Sequence, residues 1–336
     1  MKKIFLFLII YSISITLFSC DNNDVKEQMS FDYFDTVSYI YSYSYDSEKE
    51  FNQNCKIVFS ILEEYHKLFD IYHEYEGINN LCTVNKNAGK DFIIVDKLLI
   101  DFFKYAKDIY VITKGETNIM LGAILKEWRK CKEKNKLPDT NKLKELEIYT
   151  NIDFLEMDEE NLMVRISNEN ASIDVGSIGK GYATEKAAKI LEDNNCNSYV
   201  LNIGGNVRII GEKEDGGSWI TGIKNPFDIS DIIVKIEIKD TSCVTSGDYE
   251  RYFEIDNNRY HHIIDKDTLY PAAYFASVSV WTADSAMADA LSTALFAMSY
   301  DDGKALVESI ADTEAMWITA SGEKLYSSGF ISLIKK

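Results

Sequence analysis

The chain has 336 residues, 46% of them hydrophobic, with 36 Lys and Arg against 54 Asp and Glu and a formal net charge of −18 at pH 7. It is long enough to bury a large core in one or two domains. Its negative field repels phosphate backbones and anionic lipid surfaces, which argues against nucleic acid as a partner and requires any phosphate ligand to be held by a local exception to that field.

Lys2 and Lys3 precede an apolar run over residues 4–18, a secretory signal too short and wrongly flanked for a membrane span. It ends in Leu17-Phe18-Ser19-Cys20, which resembles a bacterial lipobox, with Phe18 bulkier than the usual occupant. The resemblance implies a lipoprotein signal peptide over 1–19 and a diacylated Cys20. The protein would then be anchored outside the cytoplasmic membrane, with residues 20–30 as a solvated tether. Cys55, Cys82, Cys131, Cys196 and Cys243 are odd in number and include no Cys-x-x-Cys, so they read as free, buried thiols rather than a disulfide framework or a zinc ribbon.

Residues 31–45 alternate aromatic and small polar side chains as a first strand does. Apolar residues at helical spacing follow over 49–69, then a tyrosine-rich loop, 71–80, that contains Tyr72. His66 and His73 read as packing or surface histidines. Residues 96–113 are a strongly periodic helix, and 115–128 form a turn and a second amphipathic segment. The charged stretch 130–147, broken at Leu137-Pro138, reads as a surface excursion. From Tyr149 onward strand patterns dominate.

Residues 171–191 carry the most informative pattern. Ile173 and Val175 alternate with polar neighbours as in a short strand, three glycines interrupt, and 182–191 reads as a helix. A helix that starts just after glycines presents unpaired N–H groups, and Lys180 adds a positive charge beside them, which together make a phosphate cradle. Gly176-Ser-Ile-Gly-Lys-Gly is not a Walker loop, since it lacks the four-residue spacer and the hydroxyl residue after the lysine. An ordinary strand-to-helix turn with a surface lysine is the competing reading.

Two strands around Gly204-Gly205, further strands over 219–226, 232–238 and 242–245, and a hairpin turning at Asp256-Asn-Asn come next. A strand over 277–282, helices over 285–298 and 302–310, and a closing hairpin over 315–327 complete the chain. Strands joined by short turns, with helices grouped rather than alternating, favour α+β over a doubly wound sheet.

Asp289 and Thr293 are four apart on a predicted helix and present oxygen from one face, as magnesium prefers; a buried Asp–Thr hydrogen bond is the plainer reading. Around the hairpin, Thr245-Ser-Gly-Asp-Tyr, an arginine and His261-His262-Ile-Ile-Asp gather hydroxyls, a cation, histidines and a carboxylate. Consecutive strand residues point to opposite faces, so at most one of the two histidines is a proton acceptor.

Asp174-Val-Gly-Ser-Ile-Gly-Lys-Gly-Tyr-Ala, Asn202-Ile-Gly-Gly, Thr245-Ser-Gly-Asp-Tyr, His262-Ile-Ile-Asp and Ala288-Asp-Ala-Leu-Ser-Thr-Ala occur in that order. Together they resemble the FAD:protein FMN transferases, the ApbE-type family, over about residues 31–330, with a catalytic domain drawn as 31–336. The resemblance implies a bilobed α+β fold with a mixed, largely antiparallel sheet and FAD in the cleft between lobes. FAD would be bound by Phe34, Tyr72, Glu116, Thr117, Asn118, Asp174, Lys180 and Ile264. Mg2+ would be held by the Ser177 carbonyl, Asp289 and Thr293, with Lys180 and Asp289 catalytic and His262 the candidate base. The implied reaction moves the FMN half of FAD onto a Thr or Ser hydroxyl of an exported or membrane redox flavoprotein and releases AMP. Hydrolysis of FAD to FMN and AMP, or flavin binding without catalysis, are the alternatives. The chain departs from the family pattern at Gly179, where alanine is usual, at Lys266, where proline is usual, and at Leu269-Tyr270, where a glycine and its neighbour are usual.

Overall fold

The computed structural model describes residues 25–44, 46–213 and 215–335. The expected signal peptide and Cys20 lie outside the described residues. In chain order the strands are β1 (Lys26–Ser30), β2 (Ser38–Ser42), β3 (Ile93–Ile94), β4 (Leu155–Asp158), β5 (Met163–Ile166), β6 (Tyr199–Ile203), β7 (Asn206–Ile210), β8 (Trp219–Asn225), β9 (Asp228–Ile238), β10 (Ser242–Gly247), β11 (Tyr252–Ile255), β12 (Asn258–His261), β13 (Ser277–Thr282), β14 (Glu314–Ile318) and β15 (Lys324–Tyr326). The helices are α1 (Glu48–Phe69), α2 (Leu81–Lys86), α3 (Lys97–Ile112), α4 (Gly122–Glu133), α5 (Thr140–Glu147), α6 (Gly179–Asp193), α7 (Ser285–Phe296) and α8 (Tyr300–Glu308).

Local chemistry explains most of these boundaries. Ser47 and Glu50 form a capping box at the start of α1, and Asp96 caps α3. Gly204 and Gly205 both take positive φ, the two-residue turn that joins β6 to β7. Asp256 and Asn257 do the same between β11 and β12, with φ of 50° and 62°.

Eight strands form the central sheet in the order β1-β2-β6-β7-β10-β13-β14-β15, with every neighbouring pair antiparallel. The fold is α+β with an antiparallel sheet. One face carries α1, α3 and α6, whose Leu62, Phe69, Phe102 and Tyr182 pack with Ile40 and Leu201, while α7 and α8 cover β10, β13 and β14. The β8–β9 ribbon covers the other face, where Trp219, Ile223 and Ile236 meet Val207, Trp281 and Phe330. Of the five remaining cysteines, Cys55, Cys82, Cys131 and Cys243 are buried, Cys196 is half-buried, and all are free. Among the described residues no helix is long and apolar enough to cross a membrane.

Three sequence expectations change. The first strand is confined to β2, because Phe34 and Asp35 adopt left-handed φ of 54° and 52° and turn the chain. Residues 26–30, expected in the tether, pair with β2 as β1. The stretch 130–147 is not merely a surface excursion: α5 buries Leu143 against Trp128, Ile264 and Leu269, which places this segment directly behind the hairpin.

Candidate active site

Residues 171–175, whose alternation suggests a short strand, form none and join no sheet. The Asn85 side chain takes the place of a neighbouring strand, its Oδ1 accepting from Ile173 N at 2.7 Å and its Nδ2 donating to Ile173 O at 2.9 Å. Asp174 N donates to Ile119 O at 2.8 Å, which fixes residues 116–121 alongside. Helix α6 then begins at Gly179, inside the glycine turn rather than after it.

The reason lies on α7. Gly181 N donates to Asp289 Oδ2 at 2.8 Å, and a Cβ on Gly181 would meet Asp289 Cβ at 2.3 Å and Ser285 O at 2.5 Å. Only glycine permits this approach. Lys180 Nζ is 3.8 Å from Asp289 Oδ1. One turn along α7, Thr293 Oγ1 donates to Ser177 O at 3.3 Å. The Ser177 carbonyl, the Thr293 hydroxyl and the Asp289 carboxylate are all hard oxygen donors, which fit Mg2+ rather than a thiophilic ion. The 3.3 Å spacing of Ser177 O and Thr293 Oγ1 is close to the about 3.0 Å between adjacent ligands of an octahedron with 2.0–2.1 Å bonds. Among the described residues no three His, Cys, Asp or Glu cluster to form a self-contained cage, so a metal here would complete its shell with waters and ligand phosphates.

Asp174 is buried and both its oxygens are engaged, Oδ1 by Gly176 N at 3.0 Å and Oδ2 by Arg129 Nη1 at 2.7 Å. The Arg129 guanidinium stands 5.7 Å from the centre of the Tyr72 ring, which is 60% exposed. Asp35 and Arg251 lie within electrostatic reach of the same ring. Phe34, next to Asp35, donates its N–H to His66 Nδ1 at 3.1 Å, which gives His66 a structural task. His73 is exposed and pairs with Asp70.

The segment 116–118 splits in role. Glu116 pairs with Lys266 at 3.2 Å, and burial pushes its carboxyl up against the pull of that ammonium. Thr117 Oγ1 donates to Ala290 O at 2.8 Å and Asn118 Nδ2 to Thr150 O at 2.8 Å. The hydroxyl of Thr117 and the amide of Asn118 therefore brace the loop against α7 and the chain at Thr150. The Ile264 side chain is buried with Trp128 and Leu269. Leu269, at the position where glycine is usual, has φ of 61° and accepts from Trp128 Nε1 at 2.9 Å.

The two histidines are distinguished by their hydrogen bonds. His261 uses both ring nitrogens, Nε2 on Ala272 O at 2.8 Å and Nδ1 accepting from Ile263 N at 3.2 Å. His262 Nδ1 faces Arg251 O at 3.3 Å. A carbonyl only accepts, so Nδ1 carries the proton and the Nε2 lone pair is left for another donor. The His262 ring keeps a solvent-facing surface, while protein crowding first, and then the charges of Arg251 and Lys180, push its imidazole down to about 3.

The structure thus brings Ser177, Lys180, Asp289 and Thr293 to one point. Lys180 is near enough to His262 to act on it electrostatically, and Tyr72 and Asp174 share Arg129. Arg129 is the main group that sequence reasoning misses, since it is one basic residue among several on α4. A cavity of about 390 Å³ nearby is lined by Asp248, Arg259, Tyr260, His261, Tyr270 and Phe275 among others, and no expected site residue lines it.

Comparison with known proteins gives a consistent result. The model of the ApbE family matches residues 35–317. The chain is 29% identical over 273 residues to the FAD:protein FMN transferase of Klebsiella pneumoniae (strain 342), covering 81% of this chain and 84% of that protein. It is 28% identical over 317 residues to the FAD:protein FMN transferase of Treponema pallidum (strain Nichols), covering 89% and 86%. The crystal structure of the ApbE protein from Thermotoga maritima matches with a TM-score of 0.83 at 27% identity, over 93% of this chain and 100% of that one. The flavin transferase ApbE from Vibrio cholerae, at 22% identity and a TM-score of 0.76 over 92% and 100%, shares the fold. With a family match over residues 35–317 that includes the glycine turn and the α7 helix, this chain belongs to the ApbE family.

Proposed function

We propose that this chain is a magnesium-dependent FAD:protein FMN transferase that acts on a Thr or Ser hydroxyl of a target flavoprotein. Flavin transfer follows from membership in the family and from relatives bearing that name across more than four-fifths of their length. The metal, the acceptor residue and the compartment are our reading. The observation that carries it is the meeting of Lys180, the Ser177 carbonyl, Asp289 and Thr293 at the first turn of α6.

FAD would lie between the Tyr72–Arg129–Asp174 side and the β11–β12 hairpin, with a flavin or adenine ring on the exposed Tyr72. The Lys180 ammonium at the first turn of α6 would hold the pyrophosphate, a local positive exception in an acidic protein. Mg2+ held by Ser177 O, Asp289 and Thr293 would supply charge neutralisation on the phosphoryl oxygens. The acceptor hydroxyl gives its proton to His262 Nε2 as its oxygen bonds to the FMN phosphorus. The bond from that phosphorus to the bridging oxygen breaks, and AMP leaves with the electron pair. Protein crowding and the two nearby cations hold His262 neutral in the free protein, and the anionic substrate offsets that field.

The signal-like start and Cys20 support placement outside the cytoplasmic membrane through a lipid anchor, with exported or membrane-bound redox proteins as acceptors. Incubating the protein with FAD, Mg2+ and a candidate acceptor tests the activity. Flavin fluorescence on the denatured acceptor supports transfer, AMP release without acceptor indicates hydrolysis, and unchanged FAD indicates a binder.

A further inference from the structure

Helices α6 and α7 are joined by two reciprocal hydrogen bonds one turn apart. Gly181 N donates to Asp289 Oδ2 at 2.8 Å, and Ser285 N donates to Glu185 Oε2 at 2.8 Å. In each rung a first-turn amide of one helix meets a carboxylate of the other, so the helices run antiparallel and neither slides without breaking a rung. Asp284 Oδ1 already serves Ala286 N and Met287 N at 2.7 and 3.0 Å. Glu185 therefore receives an amide that the helix's own cap does not serve.

Glu185 is as buried as Asp289, its side chain 7% exposed against 6%. Arg208 Nε lies 3.3 Å from its Oε2, Lys189 Nζ 3.5 Å from its Oε1. Arg208 stands on β7, is itself almost wholly buried, and is held by Glu192, by Asp240 at 3.2 Å and by its neighbour's carbonyl. The second rung is thus fastened to the sheet. Arg208 has the relation to Glu185 that Lys180 has to Asp289. A buried charged pair is a poor way to gain stability alone, because desolvation offsets its attraction.

We propose that Glu185 is a positioning residue for the metal site: it sets the register of α7 on α6 and so places Asp289 and Thr293 over Ser177. This rests on the magnesium reading above, and its test has one arm that does not. Thr117 on Ala290 O and Ser246 on Ser292 hold α7 farther along, so the helix stays packed when the rung is lost and only its register loosens.

Glu185→Ala removes the acceptor for Ser285 N, whereas Glu185→Gln keeps an oxygen there and loses the charge. In metal-free protein, hydrogen–deuterium exchange at the Gly181 amide should accelerate in Glu185→Ala and stay near wild type in Glu185→Gln. With ADP supplying the pyrophosphate, Mn2+ uptake followed by electron paramagnetic resonance should weaken roughly 10–100-fold in Glu185→Ala and less than about threefold in Glu185→Gln. If both variants match wild type in exchange, or both lose equally, the proposal is overturned. Should Glu185→Ala fail to fold, Glu185→Ala combined with Arg208→Met removes the buried cation that loses Glu185 as a partner and is read the same way. Absence of Mn2+ uptake by wild type would sink the metal reading, and Gly181 exchange would still decide the role of Glu185.

Discussion

Gly181 and Asp289 touch so closely that the backbone amide of one is the hydrogen-bond donor to the carboxylate of the other at 2.8 Å. The obstacles to a methyl at Gly181 are a Cβ and a backbone carbonyl, neither of which can rotate away. Gly181→Ala must therefore part the two helices by about an ångström, at a cost of roughly 1–3 kcal/mol in stability. A shift of that size at the reacting centre is expected to lower transfer by about 100-fold. Denaturant unfolding and turnover in the same preparation check both figures.

His262 gives a pH signature. Its imidazole is depressed to about 3 in the free protein, so the acid limb of kcat/KM should fall below the ordinary histidine range. Bound phosphates favour the imidazolium, so the acid limb of kcat should lie at higher pH than that of kcat/KM. Stability follows the same sign. Above pH about 6.5 both states are neutral, while below it the unfolded chain takes the proton first, so this group's contribution is lost as pH falls toward 3. Parallel profiles of the two kinetic constants in wild type and His262→Gln provide the check.

Arg129 holds Asp174 and stands over Tyr72, so Arg129→Ala disturbs two expected FAD contacts together. The expected effect is a rise of about 10-fold in the KM for FAD with kcat little changed, since the group is remote from the transferred phosphorus. Arg129→Lys should fall between, because an ammonium lacks the planar fork that both pairs and stacks. Steady-state kinetics at varied FAD distinguishes these outcomes.

Anchoring is tested at Cys20. Cys20→Ser should release the protein from the membrane fraction, or leave an unprocessed precursor, while the domain made without residues 1–19 keeps its activity. Two acyl chains on Cys20, at about 0.8 kcal/mol per buried methylene, would make wild type partition firmly into the membrane. Fractionation with a terminal-sequence measurement reads the result, and wild type soluble in the cytoplasm with Met1 intact would contradict the anchor.

What the sequence discloses depends on how local the cause is. The turns at Gly204-Gly205 and Asp256-Asn257 were legible because two residues alone set them, and α3 was legible from its apolar period. The alternation of Ile173 and Val175 suggests a strand but not what pairs with it, and the partner is the Asn85 side chain, 88 residues away. Glycines at 179 and 181 read as a break, whereas α6 continues through them because α7 packs against that turn. The i, i+4 pair Asp289 and Thr293 was visible on a helix face, whereas the Ser177 carbonyl that Thr293 meets came only from the family resemblance, since nothing local to residue 177 points to α7. Arg129 was hidden because nothing local separates it from Lys126, Lys130 and Lys132.

The central claim is that oxygen donors on α7 hold the metal for flavin transfer, and Asp289→Asn isolates it. The amide keeps an oxygen for Gly181 N and preserves the helix contact, but removes the formal negative charge among the proposed ligands. Covalent flavin on the denatured acceptor, measured for wild type and Asp289→Asn across Mg2+ concentrations, tests it directly. The account predicts Mg2+-dependent labelling by wild type and at most a trace, roughly 100-fold less, by a variant that unfolds at the same denaturant concentration. Equal labelling by the two proteins at every Mg2+ concentration would contradict it.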